Sequence, residues 1–414
     1  MKSEIITIGD EILIGQITDT NSAWIASRLN DAGVTVMRKV SVGDRREEIR
    51  QAVEDALEAV DIVVVTGGLG PTRDDITKEV LTEIFGGGMV RDAETFERNR
   101  QILSARGIDY NELNRSQADV PERATVLPNL HGTAPGLWFE REGRILVALP
   151  GVPFEMKQLV DNEVMPRLSE RFALNTVTHR TAITFGLAES VLAAKIAAWE
   201  DRLPSYLRLA YLPSTMMIRL RLSSYEKDRR GAMQDIEKAF AELERLIPEN
   251  FVGYGEDTLF SETARMLTER GETLAIAESC TGGALSSSYT MQEGASKYLK
   301  GSVTAYSNEV KAQVLGVRGE TLEEYGAVSE QTACEMAEGV RRLLGADYGM
   351  STTGYAGPQG GDGSNPVGTV WVGLSTAAGT EAKRYVFGSL RAQNIERASA
   401  NAANMLRLKL KGLA

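Results

Sequence analysis

The apolar positions of the chain fall into short blocks that switch between two spacings. Residues 3–8 (SEIITI) form a compact apolar run of strand length, and a polar turn leads from it into helical spacing at Trp24, Ile25 and Leu29. A β-rich run at 34–42 (VTVMRKVSV) precedes a charged helix at about 46–59. Residues 61–68 (DIVVVTGG) read as an apolar strand that ends in glycines and passes into another helical segment. This alternation of strand and helix predicts a parallel sheet with helices on both faces. GLWFE (136–140) and RILVALP (144–150) predict a hairpin, and an amphipathic helix over 152–172 closes the first domain.

The pattern changes near residue 175. TAITF (181–185) and MMIRLRLSS (216–224) read as strands flanking helical patterns at 190–200 and 228–247, a small α+β unit without a catalytic cluster. A third block opens with a helix at 258–271, a strand at 272–279 and a Thr-Gly-Gly turn, and ends with a helix at 392–410. A length of 414 residues suits such an organisation, with expected domains at 1–172, 173–253 and 254–414.

Composition narrows the chemistry. Hydrophobic residues make up 43% and charged residues 25%, which is enough to bury ordinary cores without disulfides. The net charge of −11 opposes attraction to phosphate backbones and anionic lipid, and no segment approaches the ~20 apolar residues that cross a bilayer. A cytoplasmic protein that binds neither nucleic acid nor membrane is expected. Cys280 and Cys334 are too few for a disulfide framework or a zinc cluster. The only histidines, His131 and His179, leave the C-terminal half with none, so Ser–His, Cys–His and His–metal chemistry are excluded there.

Two constellations carry candidate chemistry. The first runs from Thr66 through Gly67, Gly68 and Gly70 to Asp74 and Asp75, at the end of a buried strand where glycines let N–H groups approach a phosphate. It matches neither the Walker A loop nor the dinucleotide fingerprint, and a tight turn with Asp74 or Asp75 capping the next helix is the competing reading. Gly9, Asp10 and Glu11 follow the first strand and reach the same sheet edge in parallel topology. Four carboxylates beside a phosphate repel it unless a hard divalent cation such as Mg²⁺ stands between them. Glu155, in the PGVPFEMK turn, either faces the same pocket or caps its own helix.

The second constellation is AIAESCTGG (275–283). Ser279 follows a β-like run and precedes a Gly-Gly turn and a helix, so it is a nucleophile beside N–H groups that stabilise an oxyanion, or else Ser279 or Thr281 simply caps the helix. Without histidine, its activation requires a lysine of lowered pKa or a tyrosine. GSVTAYSNEVKAQVLGV (301–317) supplies Tyr306 and Lys311, with Asn308 and Glu309 opening a helix. Cys280 is the rival nucleophile. Thr353, Gly354 and Gly357 form a second Gly-rich loop, and Arg391 either pairs a phosphate or is solvated.

Four segments in order, GDEILIGQITDTNSAWIASRL, TGGLGPTRDDITKE, NLHGTAPGLW and LPGVPFEMK, resemble the N-terminal domain of the competence/damage-inducible protein CinA family. The resemblance implies a molybdopterin-binding-like three-layer α/β fold and a divalent-metal-dependent ADP-ribose pyrophosphatase. Gly9, Asp10, Glu11, Asn21, Thr66, Gly67, Gly68 and Gly70 would then hold the nucleotide, and Asp74, Asp75 and Glu155 the metal. AESCTGG, TAYSNEVK, GAVSE, TGYAGPQGG and NPVGTVW resemble the family's nicotinamide mononucleotide (NMN) deamidase domain. That implies Ser279 as nucleophile, Lys311 and Tyr306 as activating partners, and Thr281, Gly282, Gly283, Asn308, Thr353, Gly354, Gly357 and Arg391 as substrate contacts, with no cofactor. Where the family often has Gly-Asp-Arg, this chain has Gly388-Ser389-Leu390-Arg391, and Tyr355 replaces a common Ile. The middle unit resembles the family's KH-type linker but lacks a GxxG loop, which favours a spacer or dimer-forming role, and a homodimer is implied. The competing functions are a non-catalytic molybdopterin- or nucleotide-binding role and a competence or DNA-damage interaction role.

Overall fold

The computed structural model describes residues 1–109, 111–172, 177–214, 216–224 and 228–413. The expected domain boundary at 172/173 abuts residues outside this set. The chain falls into two compact units, Met1–His179 with Ser224–Ala232, and Arg180–Ser223 with Met233–Ala414.

In the first unit a six-stranded sheet runs in the order Thr35–Val42, Lys2–Ile8, Ile62–Thr66, Arg144–Leu149, Gly136–Arg141, Thr125–Leu127. The first four strands are parallel, and the last two continue antiparallel through the expected hairpin. Strand alternation sorts the side chains onto two faces. Ile6, Ile8, Val63 and Val65 pack with Ile49, Val53 and Leu57 of the helix Arg46–Ala59, while Ile5, Ile62 and Val64 pack with Ile25, Leu29, Met156 and Leu159. Both faces are therefore covered, giving three layers, and Ile62–Thr66 is buried throughout. The helix expected over 152–172 is continuous from Pro153 to Arg171 but widens to a π turn at Val160–Val164, just before Pro166, whose ring cannot donate to the ladder.

In the second unit a sheet ordered Leu207–Pro213, Met217–Ser224, Thr178–Phe185, Phe251–Tyr254 packs on the helix Glu189–Glu200 around Trp199 and Phe240. The sequence pattern missed the strand Leu207–Pro213, whose only charged residue is Arg208 and which ends on Pro213. A second sheet has the order Leu299–Thr304, Leu274–Glu278, Tyr348–Gly354, Thr369–Thr376, Gly379–Val386. Its first three strands are parallel and the rest antiparallel. Ala275 and Ala277 face Met336 and Val340 of the helix Glu330–Leu344, and Leu274 and Ile276 face Leu406 and Leu410 of the helix Arg391–Lys411. Ile183, Phe185 and Val252 share the latter core. Among the described residues no helix is long and apolar enough to cross a membrane.

Candidate functional site

The C-terminal ends of the three parallel strands of the last sheet bring Ser279, Ala305 and Thr352 side by side, the sheet edge where α/β folds place their ligands. The register is locked there, because Ser279 N–H donates to Thr352 O (2.9 Å) and Ala305 N–H donates to Glu278 O (2.7 Å). Lys311 projects from the first turn of the helix Asn308–Leu315, which Ser307 caps by accepting from Val310 N–H. Its amine lies 3.1 Å from Ser279 Oγ, 2.9 Å from Ala305 O and 3.2 Å from Tyr306 O, and the residue is only 1% exposed. Burial lowers its pKa, only partly opposed by the neighbouring Cys280. A neutral amine has two N–H groups and one lone pair. With both N–H groups given to the carbonyls, the lone pair faces the serine hydroxyl, which is the geometry of a general base.

The rival nucleophile Cys280 is buried, and burial pushes its thiol up to about 12, with Glu278 adding to the rise, which disfavours the thiolate. Tyr306 enters the site through its main chain. Its ring is 63% exposed, and its hydroxyl accepts from Arg391 (3.3 Å) rather than meeting Ser279 or Lys311. The expected capping by Ser279 or Thr281 is also replaced. Gly283 stands at the start of the helix Ala284–Thr290, and the N–H groups of Gly283, Leu285 and Ser286 are taken by the Glu278 carboxylate, so they are not free for an oxyanion. Thr281 Oγ1 pairs with Thr352 Oγ1 (2.6 Å), and Thr353 Oγ1 donates to Ala327 O (2.6 Å). Arg391 donates to Gly357 O (3.2 Å), which places it over the Gly-rich loop. Asn394, which the sequence pattern missed inside an ordinary helix, ties that loop down by donating to Ala356 O (2.9 Å) and Gly388 O (2.7 Å). Gly354 is packed so closely that a Cβ would meet Thr369 O at 2.4 Å, and Gly282 adopts φ +61° in the turn after Ser279. Asn308 is the exposed first residue of its helix.

The N-terminal sheet forms a comparable edge around a cavity of about 440 Å³. Thr66 Oγ1 donates to Pro150 O (3.1 Å) and accepts from Asn21 Nδ2, which also donates to Gly151 O (2.8 Å). Gly9, Glu11, Gly67, Gly68, Gly70, Asp74, Asp75 and Glu155 line the cavity. Asp10 does not. Its side chain folds back against Gly43, and its N–H donates to Asp44 Oδ2 (2.9 Å). Asp75 accepts from Thr72 N–H (2.9 Å) and closes the turn, while the helix Thr77–Phe85 starts without a side-chain cap, so the simple capping alternative fails. Glu155 accepts from Asn129 Nδ2 (2.7 Å), an asparagine that also accepts from the N–H groups of His131 and Gly132.

The sequence pattern also missed Asp44, in the turn two residues past the strand Thr35–Val42. Burial pushes its carboxyl above the usual range, and the like charges of Asp10, Glu11 and Asp74 add to the rise. Among the described residues the lining holds six carboxylates (Glu11, Asp19, Asp44, Asp74, Asp75, Glu155) and no lysine, arginine or histidine. No three of the described His, Cys, Asp or Glu side chains are arranged to hold a metal by themselves. This all-oxygen donor set fits a hard cation whose shell is completed by phosphate and water, and nothing in the lining could neutralise a pyrophosphate without one. Gly67 is fixed by the fold as well as by any ligand. It has φ +113°, and a Cβ there would meet Ile8 O at 2.2 Å. Gly67→Ala is expected to cost about 1–3 kcal/mol, read as a lower denaturation midpoint; an unchanged midpoint would contradict this packing.

Three family profiles cover the chain in order: "Probable molybdopterin binding domain" at residues 4–170, "Damage-inducible protein CinA KH domain" at 179–253 and "CinA C-terminal domain" at 256–410. A CinA-like protein of Flavobacterium psychrophilum is 40% identical over 412 residues, 98% of both chains. One of Salinibacter ruber is 43% identical over 397 residues, 96% of both. A crystal structure of a CinA superfamily protein from Klebsiella pneumoniae, 38% identical, covers 37% of this chain and 96% of its own, with a TM-score of 0.36. With full-length identity at this level and all three profiles matched in sequence order, the chain belongs to the CinA family.

Proposed function

We propose that the C-terminal domain hydrolyses the carboxamide of NMN to nicotinic acid mononucleotide and ammonia, and that the N-terminal domain is a divalent-metal-dependent ADP-ribose pyrophosphatase. The observation that carries the first activity is the 3.1 Å approach of Lys311 Nζ to Ser279 Oγ in a buried site without histidine. Ser279 Oγ attacks the amide carbon while its proton passes to Lys311 Nζ. The resulting ammonium returns the proton to the leaving nitrogen, which departs as ammonia. Water, deprotonated by the same amine, then cleaves the acyl ester, releasing the acid and the serine hydroxyl. Arg391 and the Gly357 loop flank this centre as the phosphate-binding side.

Lys311 must be neutral to accept the proton, and burial favours that form. The rate of deamidation is therefore expected to rise with pH along a limb whose midpoint lies below the ordinary lysine value of about 10.4. A profile that falls with pH over this range would contradict the assignment.

In the N-terminal domain Asp74, Asp75 and Glu155 would hold the ion and Thr66, Gly67, Gly68 and Gly70 would receive the phosphates. When bound, the cation would neutralise the phosphoanhydride oxygens and lower the pKa of water. The products would be AMP and ribose 5-phosphate. The profile description favours a second reading, pterin binding without hydrolysis. Supplying NMN and ADP-ribose separately to purified protein and weighing the products separates these readings. Neither product forming would refute both activities, and retained pterin fluorescence would support the second reading. Light scattering tests the homodimer that the family resemblance implies: a particle with the molar mass of two chains would support it, and one with the molar mass of a single chain would refute it.

A further inference from the structure

The strand Leu274–Glu278 ends on a carboxylate that the reaction as written does not use. Glu278 has no exposed surface. Its Oε2 accepts from the N–H groups of Gly283 (2.9 Å) and Leu285 (3.1 Å), and its Oε1 accepts from Ser286 N–H (2.8 Å). An ordinary cap stands directly before its helix, but here the position before Ala284 is a glycine with φ +106° and no side chain. The cap comes instead from the far side of the turn, five to eight residues back. Glu278 is itself fixed at its main chain, where its carbonyl accepts from Ala305 N–H (2.7 Å). The segment 279–282 is thus a closed loop, tied to the sheet at one end and to the helix at the other, and Ser279 is its first residue. The helix Ala284–Thr290 has only seven residues, too few to hold itself in place, so the carboxylate also decides where it starts.

We infer that Glu278 is a positioning residue for the nucleophile: its carboxylate braces the 279–283 turn against the following helix and thereby holds Ser279 Oγ on Lys311 Nζ. This rests on the amidohydrolase reading above. The requirement for a carboxylate follows from the donor count. Three N–H groups converge on two oxygens, and glutamine would set an NH₂ group against one of those sides. Aspartate keeps both oxygens but is one methylene shorter. Glu278 does not reach the substrate, so its loss disturbs the attack geometry more than binding, and a displacement near 1 Å at a reacting group costs about 100-fold.

The test compares full-length wild type, Glu278→Gln and Glu278→Asp below their melting temperatures. Two rates are read: turnover of NMN, and covalent labelling of Ser279 by a fluorophosphonate, located by mass spectrometry. In Glu278→Gln, kcat and the labelling rate are expected to fall together by about 10- to 100-fold with KM changed less than about threefold, and Glu278→Asp is expected to recover part of the loss. A folded Glu278→Gln protein within twofold of wild type in both rates overturns the inference. So does failure of both variants to fold, which would assign Glu278 to the fold alone. If wild type is labelled at Ser279 but leaves NMN intact, the substrate assignment falls and the labelling rates still decide the role of Glu278. If wild type is neither labelled nor active, both fall.

Discussion

Ser279→Ala is expected to lower kcat for NMN by at least about a thousandfold while leaving KM nearly unchanged. Removing a nucleophile removes the covalent route, whereas substrate binding depends on groups the mutation leaves in place. No neighbour can take over. Cys280 is held protonated by burial, with a thiol pushed up to about 12. Thr281 is engaged with Thr352, and the Tyr306 hydroxyl is turned to Arg391. The fold should tolerate the change, because among the described residues Ser279 Oγ gives up only its contact with Lys311 and that amine keeps both carbonyl partners. Circular dichroism and melting temperature establish that the variant is folded, and product mass establishes its rate. A folded Ser279→Ala protein that deamidates at the wild-type rate removes serine from the mechanism.

Chelation is expected to separate the two activities. EDTA should lower ADP-ribose hydrolysis by at least about a hundredfold, with recovery on adding Mg²⁺, and should leave NMN deamidation within twofold. The argument is electrostatic. A pyrophosphate entering a cavity lined by six carboxylates and no basic side chain meets repulsion from every titratable group, and at an effective dielectric near 20 one like-charge pair at 4 Å already opposes binding by about 4 kcal/mol. Backbone N–H groups near Gly67 and Gly68 cannot offset several such terms. The proposed C-terminal mechanism uses an amine and a hydroxyl, so it is expected to be insensitive to chelation. ADP-ribose hydrolysis that persists unchanged in EDTA would remove the metal from the proposal.

The alternation of apolar blocks made the three-layer architecture legible, because a strand buried on both faces has to be apolar at nearly every position, and Ile62–Thr66 is. Candidate chemistry was legible where residue type excluded alternatives. With no histidine after His179, a serine nucleophile needed an amine, and Lys311 stood after the only TAYSNEVK-like turn. Glu278 was not legible. In sequence it is one acidic residue at the end of an apolar run, and its role exists only because the turn after it folds back to present three N–H groups. Asp44 was hidden in the same way, 34 residues from the Asp10 N–H that it accepts from.

Sequence by itself determined which residues are available: a parallel-sheet pattern in the N-terminal block, a chain poor in histidine, glycine turns at strand ends, and family membership through ordered motifs. Tertiary structure decided which functional groups of those residues meet. Lys311 is 32 positions from Ser279, and only the adjacency of parallel strand ends brings its amine onto the hydroxyl. Tyr306 contributes a carbonyl to that amine while its phenol turns outward. Such distinctions depend on dihedral angles and burial, which a residue's identity limits but the packing of distant segments selects.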